Sequence, residues 1–142
     1  MLRPLRFVTG KRRKQWHRNS VAIGLSSGFL EPLESTGIHL VQSSILRLLA
    51  LLPGKVILDA NRDEYDFQAA FEFEHIRDFI ILLYRANGRA CEPLWDYCRN
   101  MSIPDSLAAK IDLFEDSGRI FRELEELFTE VAWAQVLIGQ GV

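Results

Sequence analysis

The stretch GFLEPLESTGIHLVQSSILRLLALLPG, residues 28–54, joins a polar loop to a long apolar pattern. Between positions 38 and 52 the apolar residues recur every three or four places, which predicts one face of an α-helix. The Pro53-Gly54 pair predicts where this helix ends. The stretch therefore predicts a loop that leads directly into an amphipathic helix.

The first turn of the predicted helix contains Ser35, Thr36 and Gly37, directly after Glu34. Backbone N–H groups at a helix start lack partners within the helix, and serine or threonine hydroxyls can cap them. The same N–H groups and the helix dipole favour a bound anion, so this turn is a candidate anion site. A capped helix explains the same residues, with Glu34 complementing the dipole and Glu31 facing solvent.

Two short runs before this helix, residues 5–16 and 20–25, predict strands because apolar residues alternate or cluster around glycines. The basic run GKRRKQWHR, residues 10–18, is predicted to be a solvated hairpin tip. Contact with an anion or a polynucleotide is the alternative, although basic clusters are unspecific signals. Trp16 is the one aromatic residue in this run.

Composition limits the possible classes of function. The chain has 142 residues, of which 48% are hydrophobic and 25% charged, as in one compact globular unit. Its formal net charge of -2 provides no general attraction to nucleic acid. No apolar run reaches the roughly 18 residues that span a membrane, and the amino terminus lacks the apolar run of a secretory signal. We therefore expect a cytoplasmic protein without nucleic-acid or membrane partners.

Most of the remaining sequence predicts helices. Apolar periodicity and helix-starting or helix-ending residues place them at residues 67–84, 91–101, 103–118 and 118–142. After a short link the chain is polar up to about Asp66, and the second helix is predicted to begin only at Phe67. The predicted fold class is α+β and mostly helical.

The cysteines and histidines give no local signal for a metal site. Cys91 and Cys98 form neither a CxxC pair nor a Cys/His cluster, so reduced thiols are predicted. His17, His39 and His75 are far apart in sequence, and no Ser/His/Asp arrangement is indicated. The chain also lacks a GxGxxG motif and a Walker loop, the usual cradles for nucleotide phosphates.

Four blocks of sequence resemble flavin-dependent tryptophan halogenases, in the same order as in that family. They are NSVAIGLSSGFLEPLESTGIHLVQSSILRLLALLP (19–53), EHIRDFIILLY (74–84), PLWDYCRNMSIPDSL (93–107) and ELFTEVAWAQVLIGQG (126–141). The resemblance implies the carboxyl-terminal portion of a flavin monooxygenase-like fold, an FAD/NAD(P)-binding Rossmann-like architecture.

The resemblance also implies a division of the chain. Residues 1–54, with the strands, the EPLESTG loop and the first helix, would form the carboxyl-terminal end of the flavin-binding domain. Residues 55–142 would form a helical lobe on the substrate side. The family's GxGxxG cradle and catalytic lysine belong to an amino-terminal part of the enzyme, which is missing here, so the isolated chain is expected to be inactive.

The family's chemistry, as the resemblance implies it, begins with FAD that a flavin reductase has reduced. Oxygen forms a flavin hydroperoxide, chloride or bromide is oxidised to hypohalous acid, and this oxidant halogenates an indole-type substrate. Glu34 matches the catalytic glutamate of the family. A carboxylate there polarises the oxidant or accepts the proton that the ring loses.

Several neighbouring residues match other positions of the family's site. Thr36 and Gly37 match the halide-binding residues, and Gly37 and Ile38 match residues beside the flavin. We expect Ser35 to orient the loop. Glu31 is expected to have a structural role, in which its carboxylate accepts hydrogen bonds from backbone N–H groups.

The substrate side departs from the family pattern. Glu123, Phe128 and Trp133 lie in the region that should line the substrate pocket, but residues 115–128 contain no tyrosine where the family uses a tyrosine pair. Leu83 stands where many relatives carry histidine. The resemblance therefore predicts an indole-type substrate other than free tryptophan.

Two other functions are compatible with the sequence. A flavin-dependent monooxygenase would share the fold, and fold does not determine chemistry. A non-catalytic helical binding protein is the alternative from a different class. The EPLESTG loop favours the halogenase.

Overall fold

The computed structural model describes residues 8–31, 34–89, 91–123 and 126–141, and helices predominate in them. The strands are β1 (Gly10–Lys11), β2 (Trp16–His17), β3 (Ser20–Val21) and β4 (Gly28–Phe29), with a 3₁₀ turn at Gly24–Ser26. The helices are α1 (Thr36–Ala50), α2 (Asp59–Arg85), α3 (Pro93–Asn100), α4 (Asp105–Ser117) and α5 (Glu130–Gln140). The predicted α+β, mostly helical class is confirmed.

The chain divides into two compact units, one up to Phe73 and one from Glu74 onward. Helix α2 contributes residues to both units. This division lies inside α2, whereas the sequence placed a functional boundary between residues 54 and 55. The assignment of 1–54 to a flavin-binding domain and of 55–142 to a substrate-side lobe stays a prediction.

The short strands form two antiparallel pairs in the first unit. β1 pairs with β4 and β2 pairs with β3, so the β2–β3 hairpin turns at Arg18 and Asn19. The prediction that the whole basic run forms one hairpin tip is wrong, because β1 and β2 pair with different strands. Residues 5–7 of the first predicted strand lie outside the described residues.

The end of the basic run is bonded to the half-buried carboxylate of Asp66. The backbone N–H groups of Gln15 and Trp16 donate to Asp66 Oδ1 of α2 at 2.7 and 2.9 Å. Trp16 is buried and meets the ring of Tyr65 edge to face, with 5.6 Å between ring centroids. Burial raises the pKa of the Tyr65 hydroxyl above its ordinary value. The one aromatic residue of the basic run is therefore a core residue, not a surface for stacking bases.

Helix α1 confirms the predicted helix but presents its apolar face outward within its unit. The side chains of Ile38, Ile45 and Leu49 are 78%, 44% and 62% exposed. Leu40 and Ser44 are buried instead. The opposite side of α1 contacts α2, so periodicity identified the helix but not its buried face.

Helix α2 begins earlier than predicted, at Asp59 rather than at position 67. Its first two turns are polar, but side-chain pairs one turn apart stabilise them. Gln68 Nε2 donates to Glu64 at 2.7 Å, and Arg62 bonds Asp59 and lowers the pKa of that carboxyl. These polar residues therefore extend α2 towards its amino terminus, beyond the apolar pattern that predicted it.

The second unit has a core of Phe79, Leu82, Leu107, Trp133 and Leu137, all buried. These side chains come from α2, α4 and α5. Packing of this kind, rather than helix propensity, supplies most of the stability of short helices.

The last predicted helix, residues 118–142, starts later than expected. Gly118 ends α4 in a left-handed conformation, with φ of 65°. Helix α5 begins only at Glu130, where the Thr129 hydroxyl accepts a bond from Ala132 N–H at 3.2 Å. Residues 119–123 and 126–129 are not helical. The prediction therefore merged an irregular segment with a capped helix.

No helix in the described part of the chain is long and apolar enough to cross a membrane.

Gly28 in β4 lies where neighbouring atoms leave no room for a side chain. A Cβ at this position would lie 2.7 Å from Gly10 O and 2.8 Å from Phe73 Cε2. Gly28→Ala should therefore destabilise the protein by about 1–3 kcal/mol, since backbone atoms must move to accept the methyl group. The measurement is thermal denaturation beside Gly54→Ala, where a Cβ would meet no described atom within 4 Å. Equal midpoints for the two variants would contradict this packing.

Candidate functional site

A cavity of about 300 Å³ lies at the start of α1. Its walls include the 3₁₀ turn, residues 28–31 and the first turn of α1. Thr36, Gly37 and Ile38 all line it, together with Ser35. The residues that the sequence assigns to halide and cofactor binding therefore meet at one cavity.

The backbone enters α1 through a strained residue. Ser35 occupies the cap position with φ of 52° and ψ of 27°, in the left-handed region. Within the described residues its side chain makes no capping hydrogen bond, so the prediction of a hydroxyl cap is wrong for Ser35. The left-handed conformation costs a serine a conformational free energy of order 1 kcal/mol. Backbone strain of this kind is found most often at functional sites.

The first turn of α1 is open on its cavity side. Gly37 is exposed, and a Cβ built there would meet no described atom within 4 Å. Ile38 and Leu25 are both 78% exposed and add apolar surface to the same cavity. Helix-start N–H groups beside apolar walls suit a partly dehydrated anion, and the open apolar surface suits a flat aromatic ring system. The described residues thus fit a halide and a flavin.

The two glutamates of the loop occupy different environments. Glu31 lines the cavity and is half-buried, with a buried Oε1 atom. Glu34 is exposed at the turn directly before Ser35, and among the described residues it does not line the cavity. Pro32 and Leu33, which connect them, lie outside the described residues. The roles predicted for Glu31 and Glu34 stay predictions.

A polar cluster between α1 and α2 escaped the sequence analysis. Glu72 accepts bonds from His39 Nε2 at 2.9 Å, Ser43 Oγ at 2.9 Å and Arg47 Nη2 at 2.8 Å. Among the described residues the Ser43 hydroxyl donates to Glu72 rather than to His39, so this cluster does not show the serine-to-histidine pair that activates a nucleophile. The available signal was the spacing of three polar residues four positions apart on α1.

The predicted substrate residues lie in the second unit. Phe128 stacks on Phe79 with 3.8 Å between ring centroids. Trp133 is buried and donates its indole N–H to Glu126 Oε2 at 3.2 Å. Glu123 has a largely exposed side chain and lies 3.7 Å from His75 Nε2. Phe128 and Trp133 therefore contribute to packing, while Glu123 faces solvent in this unit.

His75, Glu123 and Glu126 bring three possible metal-ligand atoms within 4.8 Å of one another, a grouping that the sequence analysis missed. Lys110 Nζ donates to Glu126 Oε1 at 2.7 Å and lies 4.4 Å from the centre of the Trp133 ring. The ammonium group supplies the positive charge that the buried Glu126 carboxylate requires. We interpret this cluster as an ion-pair network.

Comparison with known proteins decides the family. A family model for tryptophan halogenases matches residues 1–142. The chain belongs to the tryptophan halogenase family. It is 37% identical over 111 residues to the 7-chloro-L-tryptophan 6-halogenase KtzR of Kutzneria sp., covering 78% of this chain and 22% of that relative. The family predicted from the sequence is thereby confirmed.

Solved structures of halogenases share this fold. The flavin-dependent halogenase Xcc4156 of Xanthomonas campestris is 51% identical with a TM-score of 0.92, and 97% of this chain covers 28% of it. The flavin-dependent halogenase BrvH of Brevundimonas sp. BAL3 is 44% identical with a TM-score of 0.90, and 94% of this chain covers 27% of it. The predicted flavin-dependent halogenase fold is confirmed, and the chain spans about a quarter of the length of these halogenases.

Proposed function

We propose that this chain provides the halide-binding and catalytic end of a flavin-dependent halogenase that acts on an indole-type aromatic substrate. The supporting observation is the cavity at the start of α1, in a chain of this family. Thr36, Gly37 and Ile38 all line that cavity.

The halide, chloride or bromide, is held at the first turn of α1 in this proposal. Backbone N–H groups at Thr36 and Gly37 donate to the anion, and the positive end of the helix dipole attracts it. The apolar walls at Ile38 and Leu25 exclude part of its hydration shell, which strengthens these electrostatic interactions. Gly37 has no side chain to obstruct the anion.

The cofactor is FAD, with the backbone of Gly37 and the side chain of Ile38 beside its ring system. A flavin reductase supplies it in the reduced form, and its reaction with oxygen provides the oxidising equivalents that convert the halide to hypohalous acid. An amino-terminal part of the same enzyme holds the rest of FAD. Two observations support such an amino-terminal part. This chain covers only 28% of Xcc4156, and exposed apolar residues of α1 would suit a covering partner.

Glu34 acts on the oxidant and on the substrate in this proposal. Its carboxylate accepts a hydrogen bond from hypohalous acid, and it accepts the proton that the ring loses after halogenation. Ser35, in its left-handed conformation, orients Glu34 relative to the first turn of α1. Glu31 keeps its structural role in the loop.

The proposed function is tested in the full-length enzyme, meaning this chain together with the proposed amino-terminal part. The assay contains FAD, NADH, a flavin reductase, oxygen, indole and either chloride or bromide, and mass spectrometry identifies the products. We expect a halogenated indole whose mass follows the halide supplied. A hydroxylated product that forms without halide would identify a monooxygenase. If the protein binds indole but forms no product, it is a binding protein.

The same assay tests the substrate class. Free indole, or a larger indole-bearing molecule, should be halogenated faster than free tryptophan, because residues 115–128 contain no tyrosine to contact the amino acid's charged groups. Equal or faster conversion of tryptophan at matched concentrations would contradict the prediction.

A further inference from the structure

The carboxylate of Glu72 is the polar centre of the contact between α1 and the first part of α2. Its side chain is 6% exposed, and both oxygens accept bonds from residues of α1. We propose that Glu72 is a positioning residue that holds the halide-binding turn of α1 in place. This inference rests on the proposed function, because the turn it positions is the proposed halide site.

The spacing of the donors explains how one side chain can fix a helix. His39, Ser43 and Arg47 are four positions apart, so they form one stripe along two turns of α1. All three bond the same carboxylate. Because successive residues are offset by about 100° and 1.5 Å, a rotation or slide by one position would break every one of these bonds. Glu72 thus defines both the rotation and the height of α1.

Apolar packing alone defines this position less well. Burial of apolar surface is non-directional, whereas hydrogen bonds to a charged group fix geometry. Several apolar residues of α1, such as Ile45 and Leu49, are exposed in this unit, whereas Leu48 packs on the core. Arg47 is 10% exposed on its side chain, so its bond with Glu72 is shielded from water. The polar stripe therefore specifies where α1 sits on α2.

His39 connects this stripe to the halide-binding turn. It lies two residues after Gly37, within the same turn of α1, and its ring is bonded to Glu72. Thr36, at the start of that turn, is buried and belongs to the same helix. A binding site holds its ligand only when its donors stay within about 0.5 Å of their productive positions. Loss of Glu72 should therefore weaken halide binding without removing any group that touches the halide.

The test is Glu72→Gln in the full-length enzyme, which removes the charge and keeps the shape. The KM for chloride should rise roughly tenfold, the scale of a small displacement of a binding group. The rate at saturating chloride should stay within about twofold, because no reacting group has changed. Glu64→Gln is the matched control, since Glu64 lies on the same helix and accepts a bond from Gln68 at an exposed position. This control should leave the KM for chloride unchanged.

A merely structural role would give a different result. A folded Glu72→Gln enzyme with a lower melting temperature but an unchanged KM for chloride would overturn the inference. If Glu72→Gln does not fold, His39→Gln carries the test, because it keeps the bond between Arg47 and Glu72 and should still raise the KM for chloride. An unchanged KM in folded His39→Gln would likewise overturn it.

Hydrogen exchange separates this inference from the proposed function. In Glu72→Gln, the helix-bonded backbone amides of residues 39–43 should exchange faster than in Glu64→Gln, with or without halogenation activity. If the unmodified enzyme does not halogenate but these amides respond, the proposed function fails and the positioning role stands. If the enzyme halogenates and these amides do not respond, the positioning role fails alone.

Discussion

Glu34→Gln in the full-length enzyme should reduce the halogenation rate by roughly 10²-fold or more, the usual scale for losing a positioned acid–base group. The amide keeps the size of the side chain but accepts protons poorly. Binding of FAD and consumption of oxygen should continue, because the reaction of the flavin with oxygen does not use this carboxylate. The measurement is halogenated product per NADH oxidised, beside a thermal melt.

Glu31→Gln is the matched control in the same loop. Glu31 is half-buried and lines the cavity, whereas Glu34 is exposed. If Glu31 has a structural role, its replacement should lower the melting temperature, and activity should fall only as folded enzyme is lost. Normal halogenation by Glu34→Gln, together with a folded but inactive Glu31→Gln, would show that the two roles are reversed.

Trp133→Ala should destabilise the second unit by about 3–5 kcal/mol, the usual cost of truncating a buried aromatic residue. The indole is 1% exposed, and its ring meets Phe79 edge to face with 5.0 Å between centroids. The substitution also removes the N–H donor of the buried Glu126 carboxylate, which adds a desolvation cost. Denaturant unfolding measures the loss.

Trp133→Phe separates packing from substrate contact. Phenylalanine keeps most of the buried ring surface and loses only the N–H donor, so its effect on unfolding should be smaller than that of alanine. Both variants should bind substrate normally once folded. A Trp133→Ala enzyme that unfolds like the parent but has a raised KM for indole would instead support the substrate-pocket role predicted from the resemblance.

The features that sequence analysis predicted well are local ones. Helix α1 has a strong apolar period and ends at a proline and a glycine, so its existence and approximate ends were predictable. The turn at Thr36 and Gly37 was also predictable, because the start of a helix defines its own unpartnered N–H groups. These residues line the cavity, and they are consecutive in sequence, so no contact with a distant residue was needed to predict that they lie together.

The features that it missed depend on distant partners. The buried side of α1 contacts Glu72, which is separated from Arg47 by 25 positions. The early start of α2 depends on polar pairs on an exposed surface, which leave no apolar period. The late start of α5 follows the non-helical residues 126–129, in which the buried Glu126 carboxylate bonds Lys110. Sequence spacing alone does not contain these contacts.

The left-handed conformation of Ser35 also has a consequence for how this loop can evolve. Glycine adopts that conformation without steric cost and asparagine or aspartate with little, whereas β-branched and bulky residues are strongly disfavoured there. A substitution at position 35 must therefore first be compatible with this backbone conformation, before any effect on catalysis matters. The two adjacent positions are therefore restricted for different reasons, position 35 by a left-handed backbone and position 34 by the proposed chemistry of Glu34.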